Sequence, residues 1–458
     1  MAPAAATSAV EQLRSLVAAA DGPRLKDFLE KLTTEDRVYT ILRLEKADIQ
    51  RLFVLIAPEY AAELMKEMPE AEMSGLMKGM PVSDAATIID QMRSDRQADI
   101  LSGMDREASE AILNKMMSRE VKMTRFLLSY PEDTAGGLMG VEYLNYNVHA
   151  TVRDVLTDLR ENGVRYSDYE VQYAYITGDD GTLCGVLKMR DLLFASEDTK
   201  IEQLMLKSPV SVSAIMPLDE LARFFDDYGF LGVPVIDGHG RLVGVIRRTA
   251  VKEASAKQAN KIFLKLSGIV GGEELRSMPF FTRSGRRLGF LTMNIGLNLI
   301  SASVVAVFQG TLEKWIALAI FLPIISDMSG CSGNQAVAVS IRELTLGLVK
   351  SGEFARVFLK EAAVGVLNGL ALGLFLGLVA WVWQGSAMLG AVVGFALATN
   401  NLVAVCVGGL LPLVAKSMKL DPALLSGPLL TTITDMFGFF LALGSATMVL
   451  NTWPELVK

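Results

Sequence analysis

Histidine is nearly missing from this sequence: it has two, His149 and His239, and both precede its hydrophobic part. That argues against a zinc centre or a histidine-based proton relay within a membrane. Cysteine is almost as scarce. Cys184, Cys331 and Cys406 lie far apart, one in a predicted strand and two in predicted spans, so no disulfide framework is implied. No long basic run occurs and the formal net charge is −7, which argues against a nucleic-acid partner. There is no GxxxxGK[ST] phosphate loop, no dinucleotide fingerprint in a suitable setting and no nucleophile–base pair, so an enzyme is the least favoured class. Residues Met1 to Ala20 show no basic start, apolar run or cleavage pattern, and the amino terminus is expected in the cytosol.

Charge is also missing from one end of the chain. Nearly all charged residues precede Arg287, and long apolar runs fill the remainder. The expectation is a large soluble part followed by a membrane part.

From about Asp21 to Met116 the chain repeats itself every 12 residues. One column reads Phe28, Thr40, Leu52, Leu64, Leu76, Ile88, Ile100 and Ile112, and the next reads Leu29, Ile41, Phe53, Met65, Met77, Ile89, Leu101 and Leu113. A third column ends in Met68, Met80, Met92, Met104 and Met116. Such spacing makes one apolar face of a short helix, too small to be buried alone, so the units should stack into an all-α superhelix. Leu and Ile hold the methionine column in earlier units, which favours core packing over metal or peptide binding. Pro69, Pro81 and Asp105 mark unit starts, while Arg93 in the same column gives a weaker boundary.

After residues 130–137, YPEDTAGG, strands alternate with helices. Two segments match at an offset of 59: Ile176 to Val186 and Val235 to Val245, each a strand, a polar glycine-containing turn and a strand. Amphipathic helices precede both, at Val152 to Leu159 and Leu218 to Phe225. This doubled β-α-β-β-α order resembles a tandem pair of CBS domains, an α/β module that often senses adenine nucleotides or dimerises. Asp179, Asp180 and Asp237 are read as turn residues rather than ligands. Whether the pair takes a nucleotide is left open.

A rather basic helix follows, with Lys252, Lys257, Lys261 and Lys265, and then five predicted spans: about Leu288–Phe308, Trp315–Val339, Ala362–Trp383, Met388–Val414 and Leu424–Leu450. One set of loops carries Arg283, Arg286, Arg287, Arg342, Lys350, Arg356, Lys360, Lys416 and Lys419, and the other only Lys314 and Lys458. The positive side is cytoplasmic, which puts the amino terminus inside and the carboxyl terminus outside.

Asp435 is the only ionisable residue of the last span. A carboxylate at mid-helix costs roughly 3 kcal/mol to insert, so it faces a bundle interior or a water-filled path, either lining a route for a cation or making an interhelical hydrogen bond that only glues the bundle. Thr431 and Gly438, one turn to either side, are expected to continue a polar stripe. In the second span Asp327, Gly330 and Asn334 share a face. Asn294, Asn298, Asn368, Asn400, Asn401 and Gln335 read more readily as interhelical glue, and Glu361 as a residue snorkelling to the interface. Without histidine or paired cysteines, an ion handled here meets oxygen ligands, which favours a hard cation such as magnesium or calcium.

Residues 323–344 (PIISDMSGCSGNQAVAVSIREL), 359–369 (LKEAAVGVLNG) and 421–435 (DPALLSGPLLTTITD), with the superhelix, YPEDTAGGLM and the CBS pair before them, resemble the MgtE family of magnesium channels. The resemblance implies a helical N-domain (1–130), two CBS domains (131–200 and 201–255), a connecting plug helix (256–284) and a five-helix pore domain (285–458) in the inner membrane. It further implies a homodimer selective for Mg²⁺ with its pore at the subunit interface, and puts the pore carboxylate on Asp435, with Thr431, Asn334 and Asp327 as further candidates. In the family, cytosolic Mg²⁺ bridges acidic residues to hold the plug closed. Two departures stand out. Ser329-Gly330-Cys331 occupies the place of the usual Gly-Gly-Asn, and among the gating candidates Glu253, Lys257 and Lys261 only one is acidic. Cations do not bridge a basic helix, so weaker gating, or gating by another ligand or by pH, stays open. The competing readings are an ion-coupled exporter of Mg²⁺ or another divalent metal, with Asp327 and Glu361 as proton or sodium carriers, and a CBS-type membrane receptor without flux.

Overall fold

The computed structural model describes residues 3–453 apart from 165, 167, 168, 170, 171 and 351, together with residue 455. Lys458, used above for orientation, lies outside the described residues. The chain divides into two compact units, Met1–Ala256 and Lys257–Lys458.

The first unit opens with α1 (Pro3–Ala18) and then nine short helices: α2 (Gly22–Glu30), α3 (Thr34–Leu42), α4 (Lys46–Leu55), α5 (Pro58–Lys66), α6 (Glu70–Met77), α7 (Val82–Asp90), α8 (Ser94–Ser102), α9 (Arg106–Leu113) and α10 (Ser118–Leu128). From α2 onward each starts 12 residues after the last, so the sequence period is the structural period. Pro69, Pro81 and Asp105 are the N-cap residues of α6, α7 and α9, one position before the helical turn, and Asp105 accepts the backbone N–H of Ala108. Arg93 caps α8 without a side-chain bond, yet the boundary falls there all the same. All three apolar columns enter one core, the methionines included: Met65 and Met77 are fully enclosed, and Met68, Met80, Met92 and Met116 are buried beside them. Burying each such side chain contributes about 1.5–3 kcal/mol, which no single nine-residue helix could gather alone.

The short helix α11 (Ala135–Leu138) leads into two sheets. The first runs β1 (Leu144–Asn147), α12 (Val152–Glu161), β2 (Tyr173–Thr177), β3 (Leu183–Lys188), a 3₁₀ turn at Met189–Phe194, α13 (Ile201–Leu204) and β4 (Leu206–Lys207). Its order is β1-β2-β3-β4, with β1 parallel to β2 and the other pairs antiparallel. The second runs β5 (Val212–Ser213), α14 (Leu218–Asp227), β6 (Gly232–Ile236), β7 (Leu242–Arg247) and α15 (Arg248–Leu266), in the order β5-β6-β7 with the same parallel-then-antiparallel pairing. The expected helix after the first hairpin is a 3₁₀ turn here; its counterpart in the second module is the long α15. The two hairpin turns meet through a bridge between Thr182 and Arg241, with Leu183 N–H on the Gly240 carbonyl and Leu242 N–H on that of Gly181.

The second unit holds the end of α15 and then α16 (Phe280–Val307), α17 (Gln309–Lys314), α18 (Leu318–Thr345), α19 (Phe354–Gln384), α20 (Ala387–Ser417) and α21 (Pro422–Thr452). Among the described residues four helices, α16, α19, α20 and α21, are long and apolar enough to cross a membrane. Five such spans were expected. The remaining helix, α18, is 28 residues long, but its polar stretch from Ser326 to Gln335 keeps it from qualifying by composition. The core of this unit gathers residues such as Phe321, Ile325, Val393, Leu397 and Leu443 from α18, α20 and α21.

Candidate ion site

Asp435 stands on the wall of a cleft of about 650 Å³ bounded by α16, α17 and α21. Thr431 and Phe439 line the same cleft, and Asn298, Ser301 and Gln309 supply its other polar side chains. Positions 431, 435 and 439 stay on one face because a step of four residues nearly closes a helical turn. Gly438, expected on that stripe, lies three residues on and turns the other way. It is buried, and a Cβ built there would meet the Asn400 amide nitrogen at 2.5 Å. The polar stripe is thus split: carboxylate and threonine to the cleft, glycine to the seam with α20.

Ser326 on α18 donates its hydroxyl to Oδ1 of Asp435. In sequence the next residue, Asp327, draws attention and Ser326 does not; a serine preceding an aspartate in a helix carries no signal of its own. Thr431 spends its hydroxyl proton on the Gly427 carbonyl at 3.1 Å.

Asp327 and Asn334 lie elsewhere. Both are exposed on α18, on a face with Cys331 and Gln335, and neither lines the cleft. Between them Gly330 has open space, whereas Gly333 is pressed against Leu430 and the Ala404 carbonyl, where a Cβ would sit within about 3 Å of both. Asn401 and Asn400 are fully enclosed in α20. Asn401 reaches the Gly365 carbonyl at 3.5 Å, as interhelical glue would. Asn400 packs against Gly438 without a protein hydrogen bond from its carboxamide, which departs from the glue reading. Glu361 is half-buried with its stem against Gly409.

The gating candidates take different roles. Glu253 accepts a hydrogen bond from Arg96 at 3.1 Å. The Lys261 stem lies against Gly272. Among the described residues no cluster of three or more His, Cys, Asp or Glu side chains is poised to hold a metal ion. The aspartates in the hairpin turns are engaged locally. Hydrogen bonds from Thr182, its hydroxyl first, hold Asp180 below the usual carboxylate range, and the backbone N–H groups of Arg241 and His239 do the same for Asp237. Asp179 accepts from the Asn147 amide.

Comparison with known proteins agrees with this layout. The family described as "MgtE: Divalent cation transporter" matches residues 322–445, "MgtE intracellular N domain" matches 32–133, and "CBS domain" matches 201–257. The magnesium transporter MgtE of Thermus thermophilus is 31% identical over 430 residues, covering 92% of this chain and 91% of that protein. The magnesium transporter MgtE of Bacillus subtilis is 27% identical over 442 residues, covering 91% and 97%. A crystal structure of the cytosolic domain of the Mg²⁺ channel MgtE in complex with ATP is 27% identical, covers 54% of this chain and 99% of that one, and aligns with a TM-score of 0.49. With a repeat-built helical domain, a CBS pair and an apolar helical bundle in the same order, the chain belongs to the MgtE family of divalent cation transporters.

Proposed function

We propose that this chain carries Mg²⁺ across a membrane as a passive, gated channel, with Asp435 as the ion's way-station. The observation that carries the reading is a carboxylate in mid-helix on the wall of an open cleft to which Asn298, Gln309 and Thr431 also contribute. Mg²⁺ gives up water reluctantly, so a single carboxylate would hold it through its hydration shell, with Asn298 and Gln309 across the cleft to orient that water. Thr431 sits one turn away on the same wall.

The exposed face of α18 supports two finer points. Asp327, Cys331, Asn334 and Gln335 on one side of a helix flanked by apolar membrane segments would be costly against lipid, roughly 3 kcal/mol for the aspartate alone. A second copy of the chain would cover that face, which makes α18 the fifth span and leaves Asp327 and Asn334 on the dimer axis, a second stretch of the ion path. Five spans with the arginine-rich loops inside give a cytosolic amino terminus and an outer carboxyl terminus. The domain limits 1–130, 131–200, 201–255, 256–284 and 285–458 are part of this reading. Gating would run through α15, whose residues fall in both units. A nucleotide at the CBS pair is compatible with the fold, although its turn aspartates are engaged with their own hairpins.

The test is Mg²⁺ uptake into liposomes holding the full chain. Asp435→Ala is expected to lower flux at least about tenfold, the scale of losing one charged contact. Wild-type flux in that variant would overturn the reading.

A further inference from the structure

Hydroxyl groups crowd the helix that carries Asp435, yet nearly all of them spend their proton on main chain. Thr431 donates to the Gly427 carbonyl, Thr432 to that of Pro428, Thr434 to that of Thr431, and Ser301 of α16 to that of Thr432. This is the ordinary habit of Ser and Thr in apolar helices. Ser326 is different. It donates across the α18–α21 seam to one oxygen of the Asp435 carboxylate, Oδ1.

A carboxylate pinned at one oxygen from behind cannot swing to present both oxygens equally to the cleft. The two alkaline-earth ions respond oppositely to that restriction. Ca²⁺ accepts six to eight oxygens, sheds water readily and often takes a carboxylate in bidentate fashion. Mg²⁺ keeps a tight octahedron of water and is content with one oxygen at second hand. We propose that Ser326 is a specificity-determining positioning residue: by taking one lone pair of Oδ1 and fixing the rotation of the carboxylate, it disfavours the bidentate hold that Ca²⁺ would otherwise gain. The inference rests on Asp435 being the ion site and adds to it the origin of discrimination between the two ions.

The experiment reconstitutes the full chain in liposomes and measures Mg²⁺ and Ca²⁺ uptake separately with trapped indicators, for wild type, Ser326→Ala, Ser326→Thr and Asp435→Asn. Ser326→Ala is expected to raise the Ca²⁺:Mg²⁺ flux ratio about tenfold, the scale of one hydrogen bond to a charged group. Ser326→Thr, which restores the hydroxyl, returns the ratio to the wild-type value. An unchanged ratio in Ser326→Ala overturns the proposal, as does a ratio raised equally in Ser326→Thr, since that would mark packing and not the hydroxyl. Should the alanine variant fail to elute as a folded species, Ser326→Cys carries the same test with a much weaker donor: a raised ratio supports the proposal and a wild-type ratio overturns it. Failure of the underlying reading shows separately, as Asp435→Asn conducting Mg²⁺ like wild type.

Discussion

Lys265, near the end of α15, donates to the same carboxylate of Asp421 that caps the first turn of α21. One turn earlier on α15, Ile262 packs against a buried cluster formed by Val337 and Ile341 of α18 with Ala423 and Leu430 of α21. The end of the connecting helix is therefore seated, by one ion pair and one apolar contact, on the helix carrying Asp435 and on the helix carrying Ser326. Its lysines do not exclude it from a gating role: an ammonium can hold a carboxylate directly where an acidic helix would need a bridging cation. Neutralising the lysine leaves the cap of α21 in place and loosens only the seat. A partly exposed pair contributes up to about 1 kcal/mol. Lys265→Gln is thus expected to raise Mg²⁺ flux in liposomes by up to about fivefold, and Lys265→Arg to leave it near wild type. Equal flux in all three proteins would show that the pair takes no part in gating.

Within the first unit the acidic groups are likewise matched by arginine. Arg247, at the end of β7, binds Asp95 at 2.7 Å, and Arg93 lies 3.5 Å from Asp95 and 3.7 Å from Glu142. Ser94 donates to Glu142 through both its backbone N–H and its hydroxyl, and Arg96 pairs with Glu253. The start of α8 is thereby fixed to the second sheet and to α15 by fixed charges. Magnesium removal should accordingly leave the helical repeats docked: protease cleavage of residues 21–116 in the detergent-solubilised protein is expected to be the same in chelator and in millimolar Mg²⁺. Arg247→Gln, which strips a charged hydrogen bond from the nearly buried Asp95, should cost about 1.5–3 kcal/mol. At roughly 2–4 °C per kcal/mol for a unit of this size, the first unfolding transition falls by several degrees. Chelator-induced cleavage in the wild type would contradict the arginine latch and point to metal-held docking.

How much of this was legible beforehand follows from where each signal resides. The repeat was fully readable, because a 12-residue period is a local pattern and each unit folds the same way; even Arg93, which has no capping chemistry, starts its helix on time since its neighbours fix the register. Asp435 stands out in sequence as a candidate because a lone carboxylate in an apolar run is rare. Gly438 was misplaced on the stripe because a three-residue step and a four-residue step both count as one turn in sequence but leave the helix on opposite sides of the starting residue. Ser326 and the pairings of Arg247 and Lys265 could not be read, since the partners are 109, 152 and 156 residues distant and nothing local distinguishes a serine or lysine that finds one. The polar middle of α18 has the opposite effect: a span is expected from sequence at Trp315–Val339, yet the helix is not among the four apolar enough to cross a membrane, and Asp327, Asn334 and Gln335, which dilute it most, lie on its exposed face.

The α19–α20 pair is held by backbone approaching backbone. A Cβ on Gly373 would lie 2.6 Å from the Gly394 carbonyl oxygen, and one on Gly394 would lie 2.7 Å from that of Gly373. One level along, Gly377 and Gly390 stand in the same reciprocal relation at 2.8 and 2.5 Å. These contacts are to main chain, which cannot rotate aside as a flexible side chain would. Membrane helices gain little from burying apolar surface against each other and depend on this close approach, so spacing them apart forfeits packing along the whole seam. Gly373→Ala is expected to cost about 1–3 kcal/mol, the range of an overpacked interior. The effect should appear as earlier thermal aggregation in detergent, and Gly373→Ala combined with Gly394→Ala should be worse than either alone. Gly296→Ala on α16 is the control, because open space surrounds that position. If Gly373→Ala and Gly296→Ala melt together, close packing of α19 on α20 does not limit the stability of the bundle.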